Sequence, residues 1–242
     1  MPIVMTSQAA YLRWLAKPLL FLACLAPVSL LLWRAVQDDL GANPVEALTH
    51  GTGDWALRLL LLTLAVTPLR RLTGWVALLR FRRMLGLFAC FYACQHFLIW
   101  LVLDHTLILE LILDDLTKRP YVMLGFSALV LMIPLAVTST RGMMRRLGRR
   151  WQRLHRLVYP IGILAVAHYL WLVKADYREP LLYAGVLVLL LGLRVPILYR
   201  NRGVPGAGRV QATRAVKMAR SGAGRPSTVS VGLSGIRKSA RD

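Results

Sequence analysis

Six apolar runs, at about 15–36, 55–69, 84–103, 121–138, 157–173 and 181–198, govern what this chain can become. Most approach the roughly 20 residues that a helix needs to cross about 30 Å of hydrocarbon. The runs 55–69 and 157–173 are shorter, but each can extend into amphipathic flanks such as Trp151 to Arg156. A composition of 57% hydrophobic residues with a mean hydropathy of +0.53 is too apolar for an ordinary soluble domain of 242 residues. The expected fold is therefore all-α: a polytopic membrane protein with a six-transmembrane-helix bundle over 15–199. The first run is read as a retained span rather than a cleaved signal, because Leu19 to Val36 outlasts a typical signal core.

The charges predict an orientation. Arg70, Arg71, Arg80, Arg82 and Arg83 follow the second run, and Arg141, Arg145, Arg146, Arg149, Arg150, Arg153 and Arg156 follow the fourth. Acids follow the odd-numbered runs instead: Asp38, Asp39, Glu46 and Asp54; Asp104, Glu110, Asp114 and Asp115; Asp176 and Glu179. Because cytoplasmic loops accumulate Lys and Arg, both termini are expected inside, including a short N-terminus at 1–14. Residues 200–242, rich in Gly, Ser, Pro and Arg, read as a basic disordered cytoplasmic tail. The formal charge of +20 thus points to the lipid bilayer and its anionic headgroups. Nucleic acid is not expected as a partner, since the tail lacks interleaved aromatics.

Cys24, Cys90 and Cys94 all lie in apolar stretches and provide neither a disulfide framework nor a four-thiolate metal site. Cys90 and Cys94 share a helix face, which suits packing. No internal repeat, phosphate-binding loop or dinucleotide fingerprint is evident.

Ionisable groups inside spans are costly, which makes the histidines functional candidates. His96 lies in the third run and His168 in the fifth, at depths that differ by only a few Å at 1.5 Å per residue. Facing imidazoles in a helix bundle suit bis-histidine haem ligation. His155, 13 residues before His168, falls roughly 20 Å deeper. It can serve a second haem only with an unusual partner, because Arg82, Arg83 and Met84 occupy the matching depth on the third run. Interhelical hydrogen bonding and proton relay in a small transporter or membrane scaffold remain open for the same residues. Zinc fits less well, for want of a third ligand. Arg58 is a candidate for a haem propionate, or for pairing with Asp54. His50 and His105 read as surface residues, Arg194 as a snorkelling one, and Trp100, Tyr169 and Trp171 as interfacial anchors.

Three stretches carry a family resemblance: DDLTKRPYVMLG at 114–125, TSTRGMMRRLGRRWQRLHRLVY at 138–159 and HYLWLVK at 168–174. They resemble the MsrQ (YedZ) family of the ferric-reductase-like transmembrane superfamily, over about residues 10–200. The resemblance implies a multi-pass bacterial inner-membrane protein with b-type haem, one haem or two, and an associated FMN on unassigned residues. It implies a non-catalytic electron-transfer subunit that passes electrons from membrane quinol to a periplasmic MsrP-like molybdoenzyme, which repairs oxidised methionine in periplasmic proteins. The family's haem histidines map onto His96, His155 and His168. The wider superfamily places two histidines on each of two helices, and this chain departs from that pattern at the deeper site. A ferric or flavin-linked reductase fed by cytoplasmic NAD(P)H is the alternative. Such reductases usually carry a fused nucleotide-binding domain, for which the roughly 40 residues after Arg200 leave too little chain.

Overall fold

The computed structural model describes residues 12–174 and 176–194. The tail expected at 200–242, most of the N-terminus expected at 1–14 and the end of the sixth run lie outside them. Among the described residues every regular element is helical. Six longer helices carry the apolar runs: α1 (Lys17–Val36), α2 (Pro44–Thr73), α3 (Leu79–Ile99), α5 (Pro120–Val137), α8 (Val158–Leu172) and α9 (Arg178–Gly192). Shorter α4 (Leu109–Lys118), α6 (Arg141–Leu147) and α7 (Arg149–Leu154) sit in the connections.

Three stretches are long and apolar enough to cross a membrane: Trp14–Val36, Val76–Asp104 and Pro120–Val137. The apolar core of α2 is interrupted by Asp54 and Arg58, while α8 and α9 have 15 residues each. The bundle nevertheless turns apolar side chains outward throughout. Leu19, Leu22, Leu30 and Leu32 on α1 are exposed, as are Leu181, Leu182, Val188 and Leu189 on α9. A surface of this kind calls for lipid rather than water.

Local chemistry sets the helix ends. Asn43 caps α2 by accepting the Glu46 N–H at 3.3 Å, with Pro44 at the first helical position. Gly74 closes α2 with φ +73°, a left-handed conformation that glycine adopts without Cβ strain. Within α1, Pro27 interrupts the hydrogen-bond ladder, and the fully buried Tyr92 of α3 fills the interruption. Its hydroxyl accepts from Val28 N at 3.0 Å and donates to Cys24 O at 2.8 Å, bolting α1 to α3.

The core runs between α2, α3 and α8, where Leu64, Ala89 and Ile161 are wholly buried. The closest helix partnerships are α2 with α3 and α5 with α8. Arg194 does not snorkel. It is 4% exposed and donates to the Tyr159 hydroxyl at 3.1 Å and to the Leu64 carbonyl, because α2 and α8 present these two acceptors within its reach.

Candidate functional site

A cavity of about 410 Å³ opens between α2, α3, α5 and α8, and its lining includes both His96 and His168. The size suits a cofactor or a drug-sized ligand. Leu57, Leu60, Ala93, Ala128, Leu129 and Met132 line its apolar floor, whereas Glu46, Asp54, Asp104 and Arg119 supply charge.

His96 comes from α3 and His168 from α8, and their ring centroids are 6.2 Å apart with planes at 80°. Each ring is fixed by a helix other than its own. His96 Nδ1 lies 2.8 Å from the Thr49 carbonyl of α2, and His168 Nδ1 lies 2.7 Å from the Tyr121 carbonyl of α5. A carbonyl only accepts, so Nδ1 carries the proton in both rings and Nε2 keeps its lone pair for a metal.

The spacing tests whether a metal fits. With imidazole–metal bonds of about 2 Å and about 1.1 Å from nitrogen to ring centre, two imidazoles sharing one metal can have centroids at most about 6.2 Å apart. The observed distance falls at that limit. No group of three or more His, Cys, Asp or Glu able to hold a metal exists among the described residues. Two nitrogens alone leave a metal under-coordinated unless a planar macrocycle supplies the rest, which is the donor set of bis-histidine haem.

His155 is placed differently. It begins a short 3-10 turn before α8 and is absent from the cavity lining. Its ring stacks on Trp151 at 3.9 Å, its Nδ1 lies 3.2 Å from the Trp151 carbonyl of its own turn, and its Nε2 faces Ser139 Oγ at 3.5 Å.

Arg58 does not line the cavity. Its Nε donates to the Tyr183 hydroxyl at 2.8 Å, its Nη2 lies 3.7 Å from Asp54, and it rests over the Trp55 ring. The cation in the lining is Arg119, which the sequence reading passed over. Its Nε lies 3.0 Å from Asp115 Oδ1, and the other oxygen of Asp115 meets His105 Nε2 at 2.9 Å.

His105 is therefore no surface residue. It is 7% exposed, packed against the Trp100 ring with centroids 4.4 Å apart and planes tilted by 42°, and paired to a carboxylate that is itself buried. Its position beside an acidic loop looked external, and only the return of α4 over the loop covers it. The signal in sequence was the i, i+4 pair of Asp115 and Arg119 next to a proline-started helix. Of the presumed anchors, Trp171 is exposed, whereas Trp100 and Tyr169 line the cavity.

A family model described as ferric reductase like transmembrane component matches residues 52–166. The chain is 56% identical over 186 residues to the protein-methionine-sulfoxide reductase heme-binding subunit MsrQ of Xanthomonas axonopodis pv. citri (strain 306), covering 74% of this chain and 85% of that protein. It is 54% identical over 189 residues to the subunit of the same name from Bordetella pertussis (strain Tohama I), covering 77% and 92%. No solved structure matches.

Proposed function

The chain belongs to the MsrQ family of haem-binding subunits of protein-methionine-sulfoxide reductase, and from that premise we propose that it is a membrane electron carrier. It takes electrons from quinol in the bilayer and delivers them to a periplasmic MsrP-like molybdoenzyme. The observation that carries this reading is the pair of imidazoles 6.2 Å apart, each with Nδ1–H given to a backbone carbonyl.

When bound, haem b supplies one-electron chemistry with a potential tuned by its ligands and surroundings. The chain's own residues do the rest. His96 and His168 would hold the iron through their Nε2 lone pairs, and the Thr49 and Tyr121 carbonyls hold those rings in one tautomer and raise their basicity. The apolar floor around Leu57 and Leu129 excludes water. Arg119 at the rim offers its guanidinium to a carboxylate of the cofactor. His155 lies outside this cavity and is left for a second haem, which would need an unusual partner ligand, and no residues are attributed to FMN.

The proposed topology has six spans, with α2, α8 and α9 crossing beside the three helices of sufficient length. Both termini face the cytoplasm of a bacterial inner membrane. The cavity then opens toward the periplasm, beside acidic loops that suit docking of a soluble partner. Reporter fusions after about residues 45, 112 and 177 should be active only when exported, and those after about 76 and 147 should report cytoplasm. An exported reporter at 147 overturns the orientation.

The function is tested by spectroscopy of the purified protein in membranes. A reduced quinone analogue should reduce the haem, and the periplasmic enzyme with a methionine sulfoxide substrate should reoxidise it. Haem that ignores quinol but is reduced by NADH with a cytosolic flavin reductase favours the alternative donor. The absence of a Soret band favours a transporter or scaffold.

A further inference from the structure

The two axial histidines are held with the same local arithmetic. Each bonds a carbonyl 47 residues earlier in the chain, Thr49 for His96 and Tyr121 for His168. Four residues after each carbonyl stands a glycine. A Cβ on Gly53 would lie 3.0 Å from His96 Nδ1, and one on Gly125 would lie 2.9 Å from His168 Nδ1. Every member of the second set follows its counterpart in the first by 72 positions.

The same offset extends across the cavity. Leu57 maps onto Leu129 and Ala93 onto Ala165, and all four are lining residues. Phe97 and Tyr169, each one residue after its histidine, also line it. The offset relates α2 with α3 to α5 with α8, the two closest helix partnerships in the bundle. Identity between the halves is low, and for that reason no repeat was evident in sequence. The correspondence lies in which positions face the cavity.

We propose that this pocket is two copies of one helix-pair unit arranged about the metal position, and that Gly53 and Gly125 are equivalent positioning residues for the two axial imidazoles. The proposal rests on the assignment of His96 and His168 as haem ligands and adds what orients them. Each glycine removes the one side chain that would stand between an imidazole and the neighbouring helix. Nδ1 can then reach the carbonyl one turn back, and Nε2 is turned into the cavity.

The offset also accounts for the other end of the bundle. The counterpart of His155 is Arg83, so the second imidazole is missing from a position that the duplication defines. Gly86 provides an internal control. Its counterpart is Val158, and a Cβ on Gly86 would meet only the Thr63 side chain, Cγ2 at 3.6 Å and Oγ1 at 3.9 Å, both ordinary contacts.

The test uses the haem-loaded full chain in detergent. Gly53→Ala and Gly125→Ala should each shift the low-spin electron paramagnetic resonance signal and speed haem transfer to apomyoglobin by about 10-fold or more, the usual scale for disturbing a ligand's supporting hydrogen bond. The Gly125 variant should be at least as strongly affected, whereas Gly86→Ala should match the unsubstituted protein. Unchanged spectra and transfer rates in both variants overturn the positioning role, and a change in only one overturns the equivalence. His96→Ala and His168→Ala run in the same assay separate the two levels, since haem retained there refutes the ligand assignment itself. Should the alanine variants fail to accumulate, proton magnetic resonance of the unsubstituted holoprotein decides. Two slowly exchanging imidazole Nδ1–H signals are expected, and rapid exchange of either one overturns the proposal.

Discussion

At the cavity, His96 and His168 give their Nδ1–H groups to carbonyls of other helices, whereas at the arginine-rich end His155 bonds the carbonyl of Trp151 in its own turn. The difference is mechanical. A ring tied to a second helix has its free nitrogen aimed into the space between helices, and it stays there as long as the helices stay packed. A ring tied within its own turn has no such reference, and the Nε2 of His155 points at Ser139 instead. Depth alone therefore does not bring a histidine into this cavity. What distinguishes the two cases is a carbonyl on a neighbouring helix and a glycine that leaves room to reach it.

The largest effect that can break this contrast is loss of haem. His96→Ala and His168→Ala should each abolish the low-spin haem signal, because each removes one of the two proposed iron ligands, while His155→Ala should retain bound haem. Total loss in the His155 variant, measured by pyridine haemochrome against protein, would erase the distinction between the two ends.

Next in size is the buried cluster that covers one side of the cavity. Asp115→Ala leaves the buried His105 without its partner and frees the half-exposed Arg119, and stranding a buried polar group in this way costs about 1–3 kcal/mol. Thermal unfolding in detergent should show a clear fall in midpoint. An unchanged midpoint would mean that the cavity end is not held by this cluster.

A smaller effect is expected from the rim. Arg119→Gln removes a positive charge that favours the reduced cofactor, so the haem midpoint should fall by about 40 mV, the one-electron equivalent of ~1 kcal/mol. A matching fall in Arg58→Gln but not in Arg119→Gln would return the propionate role to Arg58, despite its bonds to Tyr183 and Asp54.

The smallest effect sharpens the comparison from the other side. Ser139→Ala touches His155 through a contact of 3.5 Å, too long for a strong hydrogen bond, and should leave the haem spectrum and stability unchanged within about 0.5 kcal/mol. A shifted spectrum would show that His155 sits in the cofactor's environment after all.

Much of this was legible along the chain. The apolar runs point to six helices, because a predominantly apolar segment must satisfy its backbone internally wherever it is buried or in lipid. The spacing of His96 and His168 from their helix ends follows from 1.5 Å per residue, and with it their common depth. The arginine-rich block at 138–159 and the HYLWLVK stretch at 168–174 carry most of the family resemblance, which the relatives from Xanthomonas and Bordetella substantiate.

Tertiary packing alone decided the rest. The groups that hold the imidazoles are the backbone carbonyls of Thr49 and Tyr121, and a carbonyl leaves no mark in sequence because every residue has one. Gly53 and Gly125 are two glycines among 18, distinguished only by what a Cβ there would strike. Likewise, the burial of His105 needs α4 to fold back over its loop, and that of Arg194 needs Leu64 and Tyr159 brought together from residues 130 and 35 positions away. Sequence sets which groups are costly to place in an apolar medium, whereas the partners that make them tolerable come from elsewhere in the chain, where only the folded structure brings them within hydrogen-bond reach.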